Sequence, residues 1–186
     1  MPPPGPFQSK NKAGRDIAGH DINYTTNIGN RPSTLRQLAE KIKLDCEQDT
    51  HLRAFIDKLQ HFVNVAAIAP SKDLEQKLRE SGRENVILDA TMLKERFAKK
   101  LYKQQFSEHA QELFAHILAR IHSFFTMKIK PRISDNATRT EIDDLIHDDL
   151  LKSIYDEIGD CEAEIDFHDL LGMVYFLAGN CHISWT

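Results

Sequence analysis

Cysteine and histidine side chains near the end of the 186-residue chain are of the types that bind zinc. The candidates are Cys161, His168, Cys181 and His182. The first two are separated by six residues and the last two are adjacent, whereas structural zinc sites usually pair ligands about two to four residues apart. We therefore expect a buried cysteine and a hydrogen-bonded histidine at these positions. The sequence predicts neither a metal site nor a cofactor.

Aspartates around His147 are of the type used in divalent-metal hydrolysis. Asp144 and Asp148 lie one helical turn apart, as do Asp143 and His147. Hydrolytic metal sites usually collect ligands from separate elements beside a basic group, and only Lys152 is near in sequence. We expect a solvated acidic face, and a hydrolase that uses His147, Asp144 and Asp148 stays a third hypothesis. The chain also lacks the GxxxxGK[ST] phosphate loop, so we do not expect ATP binding through a P-loop. With no convincing catalytic motif, we predict a non-enzymatic protein.

Basic residues between positions 94 and 103 form the strongest candidate binding surface. This basic segment comprises Lys94, Arg96, Lys99, Lys100 and Lys103, opposed only by Glu95. The residues at 96, 99, 100 and 103 share one helical face, which could follow nucleic-acid phosphates. The segment lacks interleaved aromatic residues and the chain is acidic overall, so a solvated face or a face that docks an acidic partner is the simpler interpretation. We predict partner binding by Arg96, Lys99, Lys100 and Lys103, with nucleic-acid binding as the alternative.

The net charge of −4 conceals a division along the chain. Residues 1–140 carry 23 basic and 16 acidic side chains, which gives +7, and residues 141–186 carry one and 12, which gives −11. A segment of one sign steers partners without determining the fold. We expect the basic 94–103 face and the acidic 141–169 region to be opposite contact surfaces, although solvated helix faces are often charged as well.

The first 32 residues differ from the rest. Four of the seven prolines lie in the first six positions, and the unit Ala13–Ile17 is repeated at Ala18–Ile22, with a weaker echo at Ile28. Glycine beside aspartate marks turns and isoleucine favours extended chain, so one short strand per unit is predicted, with Ile17, Ile22 and Ile28 inward. Such units cannot bury a core alone. We favour self-association with other copies over a flexible tail.

From position 33 onward the apolar residues recur at the period of helices. The predicted helical stretches are 33–42, 52–66, 71–82, 86–104, 107–131, 138–158 and 166–179. Pro131 is expected to end its helix, and Thr138 with Glu141 fits a capping box. The sequence predicts an all-α bundle of five to seven helices over 33–186, preceded by the short extended or β repeat of residues 1–32.

The end of the chain resembles a known domain family. The sequence Phe176–Trp185, FLAGNCHISW, follows the motif RFAKKL at 96–101 and the acidic helix Glu141–Ile158. Together they resemble the C-terminal domains of bacterial ABC-three-component systems, predicted anti-phage modules built around an SMC-like ABC ATPase. The similarity covers residues about 84–186, and its most specific piece is the CHIxW ending. The repeat at 13–22 is similar to short N-terminal elements of bacterial conflict proteins.

The resemblance implies a defence protein with an SMC-like ATPase or an effector subunit as partner. In that family the domain is commonly fused to an effector enzyme, whereas only the repeat and two or three helices precede it here, which favours an accessory or scaffold role. No catalytic residue is carried over, because the matching motifs are structural. Trp185 is a terminal anchor that docks into its own domain or into a partner, and we include it among the partner-binding candidates.

Composition indicates a cytoplasmic protein. The three cysteines form no closely spaced pair, which is typical of a reducing compartment. No apolar run reaches the roughly 18 residues of a membrane span, and the start, MPPPGPFQSK, lacks the apolar core of a signal peptide.

Overall fold

A computed structural model describes residues 33–47, 56–66, 72–159 and 164–186, and within these ranges the chain forms seven helices. The first four helices are α1 (Thr34–Glu47), α2 (Asp57–Val63), α3 (Leu74–Glu80) and α4 (Ile87–Lys103), the last preceded by a short 3₁₀ turn at Glu84–Val86. Helix α5 joins Glu108–Phe124, a π-helical segment at Phe125–Ile129 and Lys130–Ser134. Helix α6 joins Arg139–Asp144, a π-helical segment at Leu145–Leu151 and Lys152–Ile158, and α7 spans Phe167–Gly179.

The predicted all-α class is confirmed, since no strand occurs in the described ranges. None of the described helices is both long enough and apolar enough to cross a membrane. Residues 1–32, with Ile17, Ile22 and Ile28, lie outside the described residues. The strands and self-association predicted there stay predictions.

Local capping signals place the helix starts. The side chains of Ser33, Ser107, Thr138 and Asp166 each accept a backbone N–H three residues on. Thr138 and Asp166 also form reciprocal capping boxes with the side chains of Glu141 and Asp169. These starts are confirmed, because N–H groups of the first turn have no partner within a helix and bind a nearby oxygen instead.

Two predicted boundaries were wrong. Helix α5 passes Pro131 and ends at Ser134, because the π-helical segment directly before the proline changes the hydrogen-bond register where its ring would otherwise clash. Helix α2 ends at Val63 rather than at residue 66, with Asn64 at its C-cap in extended backbone, and residues 52–55 of the predicted stretch lie outside the described residues.

The centre of the core is the contact between α4 and α7. Phe97 of α4 makes edge-to-face contacts with Phe114 of α5 and Phe176 of α7, at ring-centroid distances of 5.7 and 5.2 Å. Gly172 lets the two backbones approach, since a Cβ at this position would lie 2.5 Å from the carbonyl oxygen of Leu93. This close pairing fixes which side of α4 faces α7 and which side faces solvent.

Candidate functional site

The basic segment of α4 is divided between two surfaces. Arg96 and Lys100 turn toward the start of α7, where the Lys100 ammonium lies 2.5 Å from Asp169 Oδ2 and Arg96 lies 2.5 Å from Asp166 Oδ2. Lys94 packs against Gly179 at the other end of the same helix. Two of the four cations predicted to bind a partner therefore make ion pairs within the domain, and partner binding by the four stays a prediction.

Asp169 is the acceptor that draws these cations inward. Its side chain has no exposed surface, and its Oδ2 also accepts the Asp166 backbone N–H. Arg96 Nε lies 3.1 Å from Asp169 Oδ1, which is an ion pair without the alignment of a hydrogen bond. Burial raises the pKa of Asp166, but the hydrogen bonds from the Asp169 backbone and from Arg96 outweigh it and the pKa is lowered. The Asp166 carboxylate is therefore ionised at neutral pH.

Lys99 and Lys103 lie on the side of α4 that faces solvent. They share it with Leu88, Met92 and Tyr102, whose exposed fractions are 73, 60 and 55%. At 100° per residue these five positions fall within about 100° of one another, opposite the buried Phe97. We call these five residues the outer face of α4; the exposed Glu95 lies within the same arc, so the face combines three apolar side chains with two cations and one carboxylate.

The CHIxW ending is a structural joint. Helix α7 ends with Cys181 at a positive φ of 63° and a bond from the His182 N–H to the Leu177 carbonyl, a Schellman-type closure. The Asn180 amide donates to the carbonyls of Phe62 and Val63 at the end of α2, at 3.0 and 3.2 Å. These bonds attach the tail to α2.

Lys77 of α3 is buried against the same ending. Its ammonium donates to the carbonyls of Ala178, at 2.5 Å, and Ile183, at 3.4 Å. Carbonyls at the C-terminal end of a helix are unpaired and carry partial negative charge. The cation therefore binds two acceptors without a carboxylate.

Trp185 docks into its own domain. Only 6% of the residue is exposed, and its ring packs edge-to-face on Phe125 at 5.8 Å and against Tyr175 at 6.1 Å. The Arg83 guanidinium lies 5.5 Å from the ring centroid, in cation–π geometry. Direct partner binding by Trp185 stays a prediction, and the buried ring confines it to a ligand that enters the domain.

A pocket of about 210 Å³ opens beside Trp185, between α6, α7 and the residues before α4. Arg83, Arg139, Asp143, His147 and Tyr175 supply its polar groups, and Trp185 adds its indole N–H. The sequence singled out Asp143 and His147 but not the pocket that they line, because Arg83 lies 60 positions before Asp143 and no short-range motif joins them.

The residues considered for metal binding and hydrolysis lie apart or serve other roles. His147 Nδ1 contacts Asp148 Oδ1 at 2.6 Å with both side chains largely exposed, whereas Asp143 pairs with Arg83. Cys181 Sγ donates to the Lys72 carbonyl and the His182 ring bonds the Asn64 carbonyl. Across the described ranges no three histidine, cysteine or acidic side chains are grouped to hold a metal ion, and Cys161 lies outside them.

A family model described as C-terminal domain 9 of the ABC-three-component (ABC-3C) systems matches residues 73–185. The chain belongs to this family. The match begins at Asp73, the N-cap of α3, and ends at Trp185, so this ABC-3C domain includes α3 with Lys77 and starts earlier than the predicted residue 84. No curated protein and no solved structure matches the chain.

The hydrogen-bonded chain ending belongs to the part of the chain that the family model matches. The matched range contains α3 to α7 in full, together with the Asp169 ion pairs and the tail that binds α2 and α3. ABC-3C systems have several components, so this domain belongs to a multi-protein system.

Proposed function

We propose that this ABC-3C domain is a non-enzymatic docking subunit of an anti-phage defence system and that the outer face of α4 is its contact surface. The observation that carries the proposal is the clustering of exposed apolar side chains on that face. Seven large apolar side chains of the described residues are exposed, and three of them, Leu88, Met92 and Tyr102, belong to the outer face. A fourth, Phe106, follows directly after α4.

Apolar side chains grouped on one helix face are typical of protein contact surfaces. Leu88 and Met92 are one turn apart, so a partner groove can bury both at once. Lys99 and Lys103 lie at the other end of the face and favour an acidic rim on the partner. The partner we propose is an SMC-like ABC ATPase or an effector subunit of the same system.

Part of the acidic C-terminal portion supports a second contact surface, although Asp166 and Asp169 of that portion pair with Arg96 and Lys100. Residues 141–186 have a net charge of −11, and Asp144, Asp148 and Asp149 are exposed on α6. We propose that this surface orients the domain in an assembly formed through the 1–32 repeat. Light scattering of the full chain and of a 1–32 deletion tests the repeat, and equal monomer masses would contradict self-assembly.

The docking proposal is tested by co-purification of the protein with an SMC-like ABC ATPase of the same system. Leu88→Glu and Met92→Glu place charge among the apolar side chains of the outer face, and we expect each to weaken the complex at least about tenfold, near 1.4 kcal/mol. Met127→Glu is the matched control, because Met127 is an equally exposed methionine on α5. Complexes of equal affinity for all three variants would refute docking through the outer face.

Nucleic-acid binding by the cations of α4 is the alternative function, and it is tested separately. Arg96 and Lys100 already pair with acidic side chains, which leaves fewer cations facing solvent on α4. A duplex probe that binds with strong salt dependence, and is lost in Lys99→Gln/Lys103→Gln, would favour the nucleic-acid alternative.

A further inference from the structure

The pocket beside Trp185 is rich in hydrogen-bond donors. Arg83 and Arg139 both contact the single carboxylate of Asp143, Arg83 at 2.7 Å and Arg139 at 3.3 Å. Two cations and one anion leave a formal charge of +1 in the pocket. Asp143 is the only carboxylate among the lining residues, and its two oxygens each face one of the guanidinium groups.

Both guanidinium groups retain donors beyond these contacts. Besides Asp143, Arg83 donates to the Ser81 carbonyl, and Arg139 donates to the Gly82 carbonyl and to the Asn85 side chain. A guanidinium has five N–H groups, so each arginine keeps N–H groups for another acceptor. Their positions are fixed by the pairing with Asp143, which leaves them preorganised.

One further group of the pocket wall, the indole N–H of Trp185, lacks an acceptor. Trp185 is only 6% exposed, and its indole Nε1 is buried without a hydrogen-bond partner. Buried N–H groups without partners are rare and costly in folded proteins. Burial raises the pKa of Tyr175, the next lining residue, so its hydroxyl stays protonated and can donate. The unpaired indole is the observation that points to a missing acceptor.

The remaining walls are apolar and restrict the size of the occupant. They are formed by Val86, Ile146, Leu151, Phe167, Leu171 and Val174. At about 210 Å³ the pocket lies below the roughly 300–1,000 Å³ typical of sites for drug-sized ligands. It therefore has room for one side-chain-sized group. Ile146 and Leu151 belong to the π-helical segment of α6, and such segments are frequent at functional sites.

We propose that this pocket binds an apolar group that carries a carboxylate, with Arg139 and Arg83 facing the carboxylate and the α6 and α7 side chains enclosing the apolar part. A carboxylate is acceptor-only and matches the planar donors of a guanidinium. The ligand is a small amphipathic acid or the last residue of another chain, since both present this chemistry. The site is separate from the outer face of α4 and does not depend on docking there.

Trp185 makes this site directly observable, because it is the single tryptophan of the chain. The probes are N-acetyl-L-phenylalanine, its carboxamide and acetate, titrated into the full-length protein while indole emission is recorded. We expect a saturable change with the acid, binding at least about tenfold weaker with the carboxamide, and no response to acetate. Equal binding of acid and carboxamide would overturn the proposal.

Two variants locate the site. Arg139→Gln removes a partly exposed donor and is expected to weaken acid binding about tenfold with little change for the carboxamide. Leu171→Phe fills the pocket from the half-buried wall and is expected to abolish both responses. Lys99→Gln, on the outer face, is the charge-matched control for Arg139→Gln. If Lys99→Gln weakens binding as much as Arg139→Gln, the assignment to this pocket is wrong.

A short glycine–serine peptide ending in phenylalanine separates the two sources of the carboxylate. Tighter binding of the free-acid peptide than of N-acetyl-L-phenylalanine supports a chain terminus. Binding of the amino acid alone supports a small acid. Because Leu88→Glu and Met92→Glu leave the pocket intact, loss of partner docking and loss of ligand binding are distinguishable.

Discussion

The ammonium of Lys100 lies 2.5 Å from Oδ2 of Asp169, a carboxylate that no solvent reaches. Arg96 approaches the other oxygen of the same carboxylate at 3.1 Å. Two cations that form part of a surface cluster in the sequence thus hold the first turn of α7 against α4. The outer face of α4 consists of exposed side chains that take no part in this pairing.

Asp169→Ala is expected to lower the free energy of unfolding by about 3–5 kcal/mol, because it leaves Lys100 partly buried without its anion. It also removes the capping-box contact to the Asp166 N–H. Urea unfolding followed by circular dichroism measures the loss. Asp148→Ala is the control, since Asp148 is mostly exposed, and its effect is expected to stay within about 0.5 kcal/mol. Equal midpoints for the two variants would contradict the structural role of Asp169.

Gly172→Ala is expected to cost about 1–3 kcal/mol, because its new methyl group would lie 2.5 Å from the backbone oxygen of Leu93. The neighbouring backbone can yield only by separating α4 from α7. Gly179→Ala is the matched control in the same helix, where the methyl group meets only the movable tip of Lys94. Thermal unfolding should show a lower midpoint for Gly172→Ala and almost no change in the midpoint for Gly179→Ala.

Asn180→Ala is expected to loosen α2 selectively, because its amide donates to the carbonyls of Phe62 and Val63. Hydrogen exchange should accelerate in residues 57–66 and stay unchanged in α5. Asn85→Ala, which removes an exposed contact to Arg139, serves as control and should leave 57–66 unchanged. Uniform acceleration over the whole domain would show that the effect is not local.

Stability is expected to fall as the pH drops below about 6.5. Burial lowers the pKa of His122, where the positive charges of Lys130 and His61 add to the effect, and burial also lowers the pKa of His182. The unfolded chain therefore binds protons near the ordinary histidine pKa of about 6.5, whereas the folded chain binds them only at lower pH. The stabilisation is complete above about pH 6.5 and is lost as the pH falls toward the folded values.

Urea midpoints measured at about pH 7.5 and about pH 5.5 test this dependence. The acidic groups with lowered pKa, Glu141 and Asp166, stay ionised throughout that window. His122→Gln should reduce the difference between the two midpoints. A wild-type midpoint that is independent of pH, or one that rises on acidification, would contradict the role of the histidines.

Local signals predicted the helices well and the contacts between them poorly. Ser107 and the pair Thr138 and Glu141 mark helix starts because the capping residue and its N–H lie three positions apart. The partner of Lys100 is 69 residues away, and no short-range pattern encodes it. Periodicity alone does not distinguish solvated cations from paired ones. The ion pairs of Arg96 could not be predicted because they depend on how α7 packs against α4.

The candidate sites divide in the same way. Lys99 and Lys103 were predicted as contact residues, but Leu88 and Met92 beside them have the spacing of core positions and only the fold shows them exposed. Trp185 was expected to anchor the chain end, which it does, while the pocket it borders depends on Arg83 and Arg139 meeting at one aspartate.

The hydrogen bond from Lys77 to Ala178 makes the contact between α3 and the end of α7 a late step in folding. Its acceptor on Ala178 lies 101 residues further along the chain, and contacts of such long separation form late because a large loop must close first. During synthesis, the ammonium of Lys77 on α3 therefore stays exposed to water until the end of α7 has been made. Truncated products that stop before Ala178 have no such acceptor, so Lys77 cannot join α3 to the end of α7 in them.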